Sequence, residues 1–87
     1  MIQVNWDGKV LRVDGHAEDA AVCAAVSVLL TTAALTVGID IAHGKFYWDV
    51  GPYEHEIAGF VLNALRQIST HITYSAHITM TETLQCL

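Results

Sequence analysis

A cysteine and a histidine lie close together in this chain and could perform nucleophilic catalysis. Six residues, Ala17 to Val22, separate His16 from Cys23 at the start of an alanine-rich stretch. The thiolate is the attacking form of cysteine, and a free thiol with a pKa of roughly 8.5 is only a few per cent thiolate at neutral pH. A neighbouring imidazole that accepts the thiol proton overcomes this limit. The structural alternative is that an unpaired cysteine acts as a small buried hydrophobic side chain.

Other chemically active residues are weaker candidates. Five histidines and two cysteines could in principle supply metal ligands, but the sequence has no CxxC or HxxxH pair. His71 and His77 would share one face of a final strand about 20 Å apart, too far to bind one ion. No metal site is therefore expected. Ser27 lies one helical turn after Cys23, where it would support the thiol or bond back to the helix backbone.

Composition indicates one small acidic domain. The 87 residues allow one core and one domain, spanning residues 1–87. Hydrophobic residues make up 53% of the chain against 15% charged residues, and this apolar excess favours a homodimer. The net charge of −5 leaves no basic surface to neutralise phosphates, which argues against direct binding of nucleic acid.

The sequence favours a cytoplasmic protein that does not enter a membrane. The chain opens with a strand-like stretch rather than a signal peptide, and its two cysteines do not make a disulfide framework. The longest apolar stretch, Ala20 to Leu35, contains serine and threonine and is shorter than the roughly 20 residues that a bilayer requires. It predicts a buried helix rather than a membrane span.

The start of the chain predicts a hairpin that ends beside His16. Apolar residues alternate with polar ones from Ile2 to Trp6, Asp7-Gly8 has the composition of a two-residue turn, and Val10 to Val13 forms the returning strand. His16 follows shortly after this second strand. The hairpin would therefore present the histidine at the entrance of the helix that carries Cys23.

Helical periodicity predicts two helices. The first lies within Asp19 to Val37, with Glu18 or Asp19 suited to its first turn and Gly38 to its end. Its predicted core positions are Val22, Val26, Leu29, Ala33 and Val37. The second helix has the clearest apolar stripe in the chain, formed by Ile57, Phe60, Val61, Ala64, Leu65 and Ile68.

The remaining segments predict strands. Ile39 to Ala42 and Lys45 to Val50 are rich in β-branched and aromatic residues and indicate a second hairpin around His43-Gly44. Period-two alternation from Ile72 to Met80 predicts a long final strand. The predicted order is ββαββαβ, an α+β fold with two helices packed on a mostly antiparallel sheet.

The stretch GHAEDAAVCAAVS, residues 15–27, resembles the GHA…DIVCAAVS signature of the Prp (YsxB-like) ribosomal-processing cysteine proteases. The length of the chain and the predicted order of its elements are also similar to that family. The resemblance implies a homodimeric enzyme that removes a short N-terminal extension from a large-subunit ribosomal protein with a Cys and His pair. It implies no metal or organic cofactor.

The resemblance also implies roles for individual residues. Cys23 would be the nucleophile, and His16 would accept its proton and later return one to the leaving amine. Gly15 would allow a tight turn at the base of the site, and Ser27 would support the surroundings of the thiol. Backbone N–H groups at the start of the helix would stabilise the oxyanion.

Two departures from the family pattern leave other interpretations open. The segment between His16 and Cys23 is shorter than in the family, and Ala20 stands where the family has Asp, with Asp19 one position earlier as a partial substitute. A catalytically inactive, dimeric peptide-binding relative is the alternative, and an unrelated α+β dimer with a buried cysteine is a third. The acidic chain favours a basic partner, such as the N-terminal peptide of a ribosomal protein.

Overall fold

The computed structural model describes residues 1–41, 45–71 and 77–82. In this part of the chain two helices cover the apolar face of a four-stranded sheet. The strands are β1 (Ile2–Trp6), β2 (Val10–Gly15), β3 (Lys45–Asp49) and β4 (Ile78–Glu82), and the helices are α1 (Ala20–Val37) and α2 (His55–Thr70).

The sheet has the strand order β3-β2-β1-β4. β2 pairs antiparallel with both β1 and β3, whereas β4 pairs parallel with β1. The predicted α+β class, with two helices on a mostly antiparallel sheet, is therefore confirmed. Alternate residues of β1, β2 and β3 are buried, so one sheet face is covered by the helices and the other carries exposed side chains.

The elements run ββαβαβ within the described residues. The strand predicted over Ile39 to Ala42 is not formed at residues 39–41. Ile39 packs against the core from outside the sheet. Ala42 and the predicted His43-Gly44 turn lie outside the described residues. β3 pairs along its length with β2 and lies at an edge of the described sheet, so its partner there is the opening hairpin and not the segment that precedes it in the chain.

The opening hairpin is confirmed. One carboxylate oxygen of Asp7 accepts hydrogen bonds from the backbone N–H of Lys9 (2.9 Å) and of Val10 (2.7 Å), which closes the turn. β2 continues to Gly15, two residues beyond the predicted end at Val13. His16 is consequently the first residue after the strand.

Helix α1 begins and ends at the predicted residues. Asp19 is its N-cap, and Gly38 closes it in a left-handed conformation with φ of 78°. Five of its eighteen residues are buried: Val22, Val26, Leu30, Ala33 and Ala34. The prediction of a buried helix is therefore correct for the inner face only, because Val28 and Leu35 on the outer face are 66% and 80% exposed.

The length and apolar composition of α1 also meet the minimum for a membrane-crossing helix. This is weak evidence, since the core helices of soluble proteins meet the same minimum. In the structure α1 lies against the sheet and contributes to the core.

Helix α2 packs through a face close to the predicted one. Val61 and Leu65 are buried as predicted, and Ala58 and Leu62 join them. Phe60, which the periodicity placed in the core, is 70% exposed. The buried face is centred between positions 61 and 62, and Phe60 lies at its outer side.

The end of the chain differs from the predicted long strand. β4 spans Ile78–Glu82, and residues 72–76 of the predicted strand lie outside the described residues. His71 is the C-cap of α2, and His77 precedes β4. The prediction that these two histidines share one strand face is therefore wrong, because the chain at His71 still belongs to the helix end.

Candidate active site

A groove of about 200 Å³ opens between the first half of α1, the end of β2 and the start of β3. Apolar side chains from the core form its floor, among them Val13, Val26 and Phe46. His16 and Cys23 both line it. Gly15 and Ser27 line it as well, so four of the five residues singled out from the sequence meet in one groove.

The fifth residue, Asp19, organises the start of the helix. Its Oδ1 accepts hydrogen bonds from the N–H of Ala21 (2.8 Å) and of Val22 (3.3 Å). Its carbonyl accepts the N–H of Cys23 at 3.2 Å. Asp19 is absent from the groove lining, so it acts on the site by holding the first turn of α1, which carries the thiol.

The Cys23 thiol is partly buried and forms hydrogen bonds with the backbone of Ala17. Its Sγ donates to the carbonyl of Ala17 (3.0 Å) and accepts from the N–H of Ala17 (3.2 Å). The loop between β2 and α1 is thereby folded against the thiol. Sequence reasoning missed this contact because it uses only the main chain of Ala17, which any residue type except proline would offer.

His16 is exposed at the rim of the groove. It follows Gly15, whose φ of 92° lies in the left-handed region. The terminal ammonium of Met1 donates to the carbonyl of His16 at 2.7 Å, which ties this loop to the beginning of β1. Gly15, the last residue of β2, therefore has a backbone conformation that favours glycine directly before the histidine.

His16 and Cys23 share the groove without a hydrogen bond between their side chains. In the described part of the chain, the hydrogen bonds of the thiol run to Ala17. A proton transfer to His16 requires the thiol to rotate away from the Ala17 carbonyl. Catalytic hydrogen bonds in free enzymes are often long and tighten only when substrate binds, so this geometry is compatible with a catalytic pair.

The amide groups predicted to stabilise an oxyanion are already engaged. The N–H groups of Ala21, Val22 and Cys23 donate to Asp19. The N–H of Ala17, in contrast, points at the sulfur itself. It is therefore the amide best placed to stabilise negative charge on or beside the thiol.

Asp14, Thr31 and Lys45 also line the groove, although the sequence did not single them out. Asp14 and Lys45 line it and lie opposite each other in the register of β2 and β3. Ser27 and Thr31 line it from successive turns of α1. Lys45 could have been placed at the groove only by predicting that β3 pairs with β2. The predicted second hairpin instead paired this segment with Ile39 to Ala42.

The described residues contain no group of three or more His, Cys, Asp or Glu side chains that could hold a metal ion. Cys23 is a free thiol. No protein-family model matches the chain, and no curated protein matches it significantly. The proposal for its function therefore depends on this groove and on the resemblance carried by residues 15–27.

Proposed function

We propose that the chain is a small cytoplasmic cysteine endopeptidase that removes an N-terminal peptide from a basic protein, such as a ribosomal protein. The observation that carries the proposal is the groove shared by Cys23, on the first turns of α1, and His16, at the end of β2. The resemblance of residues 15–27 to the Prp signature supports the same two residues.

The proposed reaction uses the two side chains in sequence. His16 accepts the proton of Cys23 Sγ, and the thiolate attacks the carbonyl carbon of the scissile peptide bond. The C–N bond breaks as His16 returns the proton to the leaving amine. Water then hydrolyses the thioester and releases the thiol. The N–H of Ala17, 3.2 Å from the sulfur, supports the charged sulfur before attack.

The dimensions of the groove favour a peptide over a small metabolite. Pockets for small molecules usually enclose roughly 300–1,000 Å³, whereas this groove has about 200 Å³. Its floor is apolar and its rim polar. This arrangement suits one side chain of an extended peptide whose backbone lies along the rim.

The charge of the chain favours a basic peptide. The net charge is −5, and Asp14 and Glu18 are exposed close to His16 in the chain. Opposite charge accelerates the encounter of an enzyme with its substrate. Ribosomal proteins are strongly basic, so their N-terminal extensions are suitable test substrates.

The proposal is tested by mass spectrometry of synthetic N-terminal extensions of large-subunit ribosomal proteins after incubation with the protein. We expect the wild type to cut at one bond. Cys23→Ala should abolish cleavage, and His16→Ala should lower kcat/KM by at least 10²-fold. The matched control is Cys86→Ala, which removes the other cysteine of the chain and should leave cleavage unchanged.

Alkylation gives an independent measure of the thiol. We expect iodoacetamide to label Cys23 in the folded protein at pH 7, and His16→Ala to slow the labelling several-fold because the imidazole no longer accepts the proton. A thiol that stays unlabelled in the native protein would remove the nucleophile from the proposal.

One observation favours a second function, that of a peptide-binding protein without catalysis. The thiol bonds to Ala17 and the imidazole is exposed, so the pair is not assembled in the free protein. In this case wild type and Cys23→Ala would bind the same peptide equally in fluorescence anisotropy, and neither would cut it. Cleavage by the wild type alone excludes this alternative.

A further inference from the structure

β3 lies at one edge of the described sheet, because β2 pairs with one of its sides and no described strand pairs with the other. The backbone N–H of Val50, directly after β3, donates to the carbonyl of Lys9 at 2.9 Å, so Lys9 and Val50 are a hydrogen-bonded pair of this ladder. In an antiparallel ladder, such pairs alternate with pairs that exchange no backbone hydrogen bond. Every second residue of β3 therefore has its backbone N–H and C=O directed away from β2.

The residues of β3 whose backbone groups point outward are Lys45, Tyr47 and Asp49. The β1–β2 hairpin gives the same alternation, because the N–H of Asp7 donates to the carbonyl of Val10 at 3.4 Å. Every second residue of β2 from Val10 thus bonds to β1, and only Leu11 and Val13 remain for β3. Residues 39–41 form no strand beside β3, so within the described residues the outward groups bond to no other strand.

The start of β3 borders the groove that holds the candidate catalytic pair. Lys45 and Phe46 line this groove, and Lys45 lies opposite Asp14, which comes shortly before His16 in the chain. No residue of β4, at the other edge of the described sheet, lines the groove. An extended chain advances about 3.3 Å per residue, so a peptide paired with β3 enters the groove within a few residues of leaving the edge.

The small size of the groove requires a second surface for the remainder of a peptide. At about 200 Å³ the groove accommodates one side chain, which leaves the neighbouring residues of an extended substrate outside it. A sheet edge binds such residues through main-chain hydrogen bonds, which supply affinity, while a side-chain pocket supplies specificity. The edge of β3 and the groove together therefore provide both parts of this mode of peptide recognition.

We propose that the substrate peptide pairs with the outer edge of β3 as an additional strand, which leads its scissile bond into the groove beside Cys23. The inference rests on the proposed function for the identity of this peptide. β3 contains no proline, so each of its outward residues has an N–H to donate. Its exposed charged side chains, Lys45 and Asp49, suit a charged peptide rather than an apolar segment.

An N-methyl scan of the peptide tests the pairing without changing β3. The probe is a fluorescein-labelled synthetic N-terminal extension of a large-subunit ribosomal protein, in which one backbone N–H at a time is replaced by N–CH₃. Its dissociation constant from Cys23→Ala is measured by fluorescence anisotropy, and its KM is measured with the wild type. On one side of the scissile bond, every second replacement should weaken binding by about fivefold or more, because alternate N–H groups of a strand point to its partner. The intervening replacements should have much smaller effects.

A proline in β3 tests the protein side of the pairing. Tyr47→Pro removes one outward N–H and no bond to β2, since Tyr47 exchanges no backbone hydrogen bond with Arg12. The matched variant is Tyr47→Val, which loses the same ring and keeps the N–H. In the Cys23→Ala background, we expect Tyr47→Pro to bind the probe about fivefold or more weakly than Tyr47→Val. Circular dichroism shows whether both variants fold, and the N-methyl scan decides the matter if the proline variant does not.

Three outcomes would overturn the inference. The first is a peptide that is cut by the wild type but shows no alternation in the N-methyl scan. The second is equal binding by folded Tyr47→Pro and Tyr47→Val; if sedimentation equilibrium also shows that Tyr47→Pro alone loses self-association, the edge belongs to a second copy of the chain. Both results leave the proposed function standing. The third is a set of extensions that Cys23→Ala does not bind and the wild type does not cut, which would overturn the proposed function as well.

Discussion

Gly15 joins β2 to the loop that carries His16, and its position excludes a side chain. Its φ is 92°, and a Cβ there would lie 2.2 Å from the carbonyl oxygen of Met1. The backbone of Met1 cannot move away from this contact as easily as the end of a flexible side chain could. At the scale of single residues, the geometry of the candidate site therefore depends on a glycine as well as on the two reactive side chains.

We predict that Gly15→Ala lowers the free energy of unfolding by about 2 kcal/mol or more, through left-handed strain and the clash with Met1. It should also slow alkylation of Cys23, because the loop that contacts the thiol must move. Gly59→Ala is the control, since a Cβ at this exposed helical glycine meets no atom within 4 Å. We expect that change to stabilise the protein by about 0.5–1 kcal/mol in urea denaturation.

At the scale of elements, two contacts of α2 connect helix and sheet. Glu54, just before α2, accepts the N–H of Gly51 at 2.8 Å and the indole N–H of Trp48 at 3.3 Å, which fixes the turn from β3 into the helix. Near the other end, the Arg66 guanidinium bonds both carboxylate oxygens of Glu82 on β4, at 3.1 and 2.9 Å from Nε. These polar contacts set where α2 lies along the sheet.

The Arg66 and Glu82 pair predicts a pH-dependent contribution to stability. The guanidinium of Arg66 lowers the pKa of the Glu82 carboxyl below its ordinary value. The stabilisation is therefore fully present above the pKa of an unfolded glutamate, about 4.3, and is lost as the pH falls through the lower folded pKa. We expect Glu82→Gln to cost about 0.5 kcal/mol at pH 7 and nothing measurable at pH 2 to 3.

Urea denaturation at both pH values measures this difference. Arg66→Gln should cost about the same at pH 7, and the double variant should cost no more than either single change, as expected for two partners of one interaction. A Glu82→Gln effect of equal size at pH 7 and at low pH would show that the carboxylate charge is not its source.

At the scale of the whole molecule, one core joins both helices to all four described strands. Leu65 is fully buried, whereas Phe60 on the same helix is 70% exposed. We predict that Leu65→Ala lowers the free energy of unfolding by about 2–5 kcal/mol. Phe60→Ala should change it by no more than about 0.5 kcal/mol. Equal losses in urea denaturation would contradict this assignment of the buried face of α2.

The sequence alone determined the features that depend on neighbouring residues. The Asp7-Gly8 turn, the Asp19 cap and the Gly38 helix end were all predictable, because each is made by hydrogen bonds or dihedral angles within a few residues. The α+β class followed from the periodicities in the same way. The positions of His16 after a strand and Cys23 on a helix are local properties too.

Only the tertiary structure decided which strands pair and which side chains pack against each other. The pairing of β3 with β2 placed Lys45 beside the groove, and packing left Val28, Leu35 and Phe60 exposed. The Cys23 thiol turned to the Ala17 backbone instead of the His16 ring. These outcomes depend on the summed packing of residues far apart in the chain. In α1 the periodicity placed Val22, Val26 and Ala33 in the core correctly, but Leu30 and Ala34 are buried where Leu29 and Val37 were predicted.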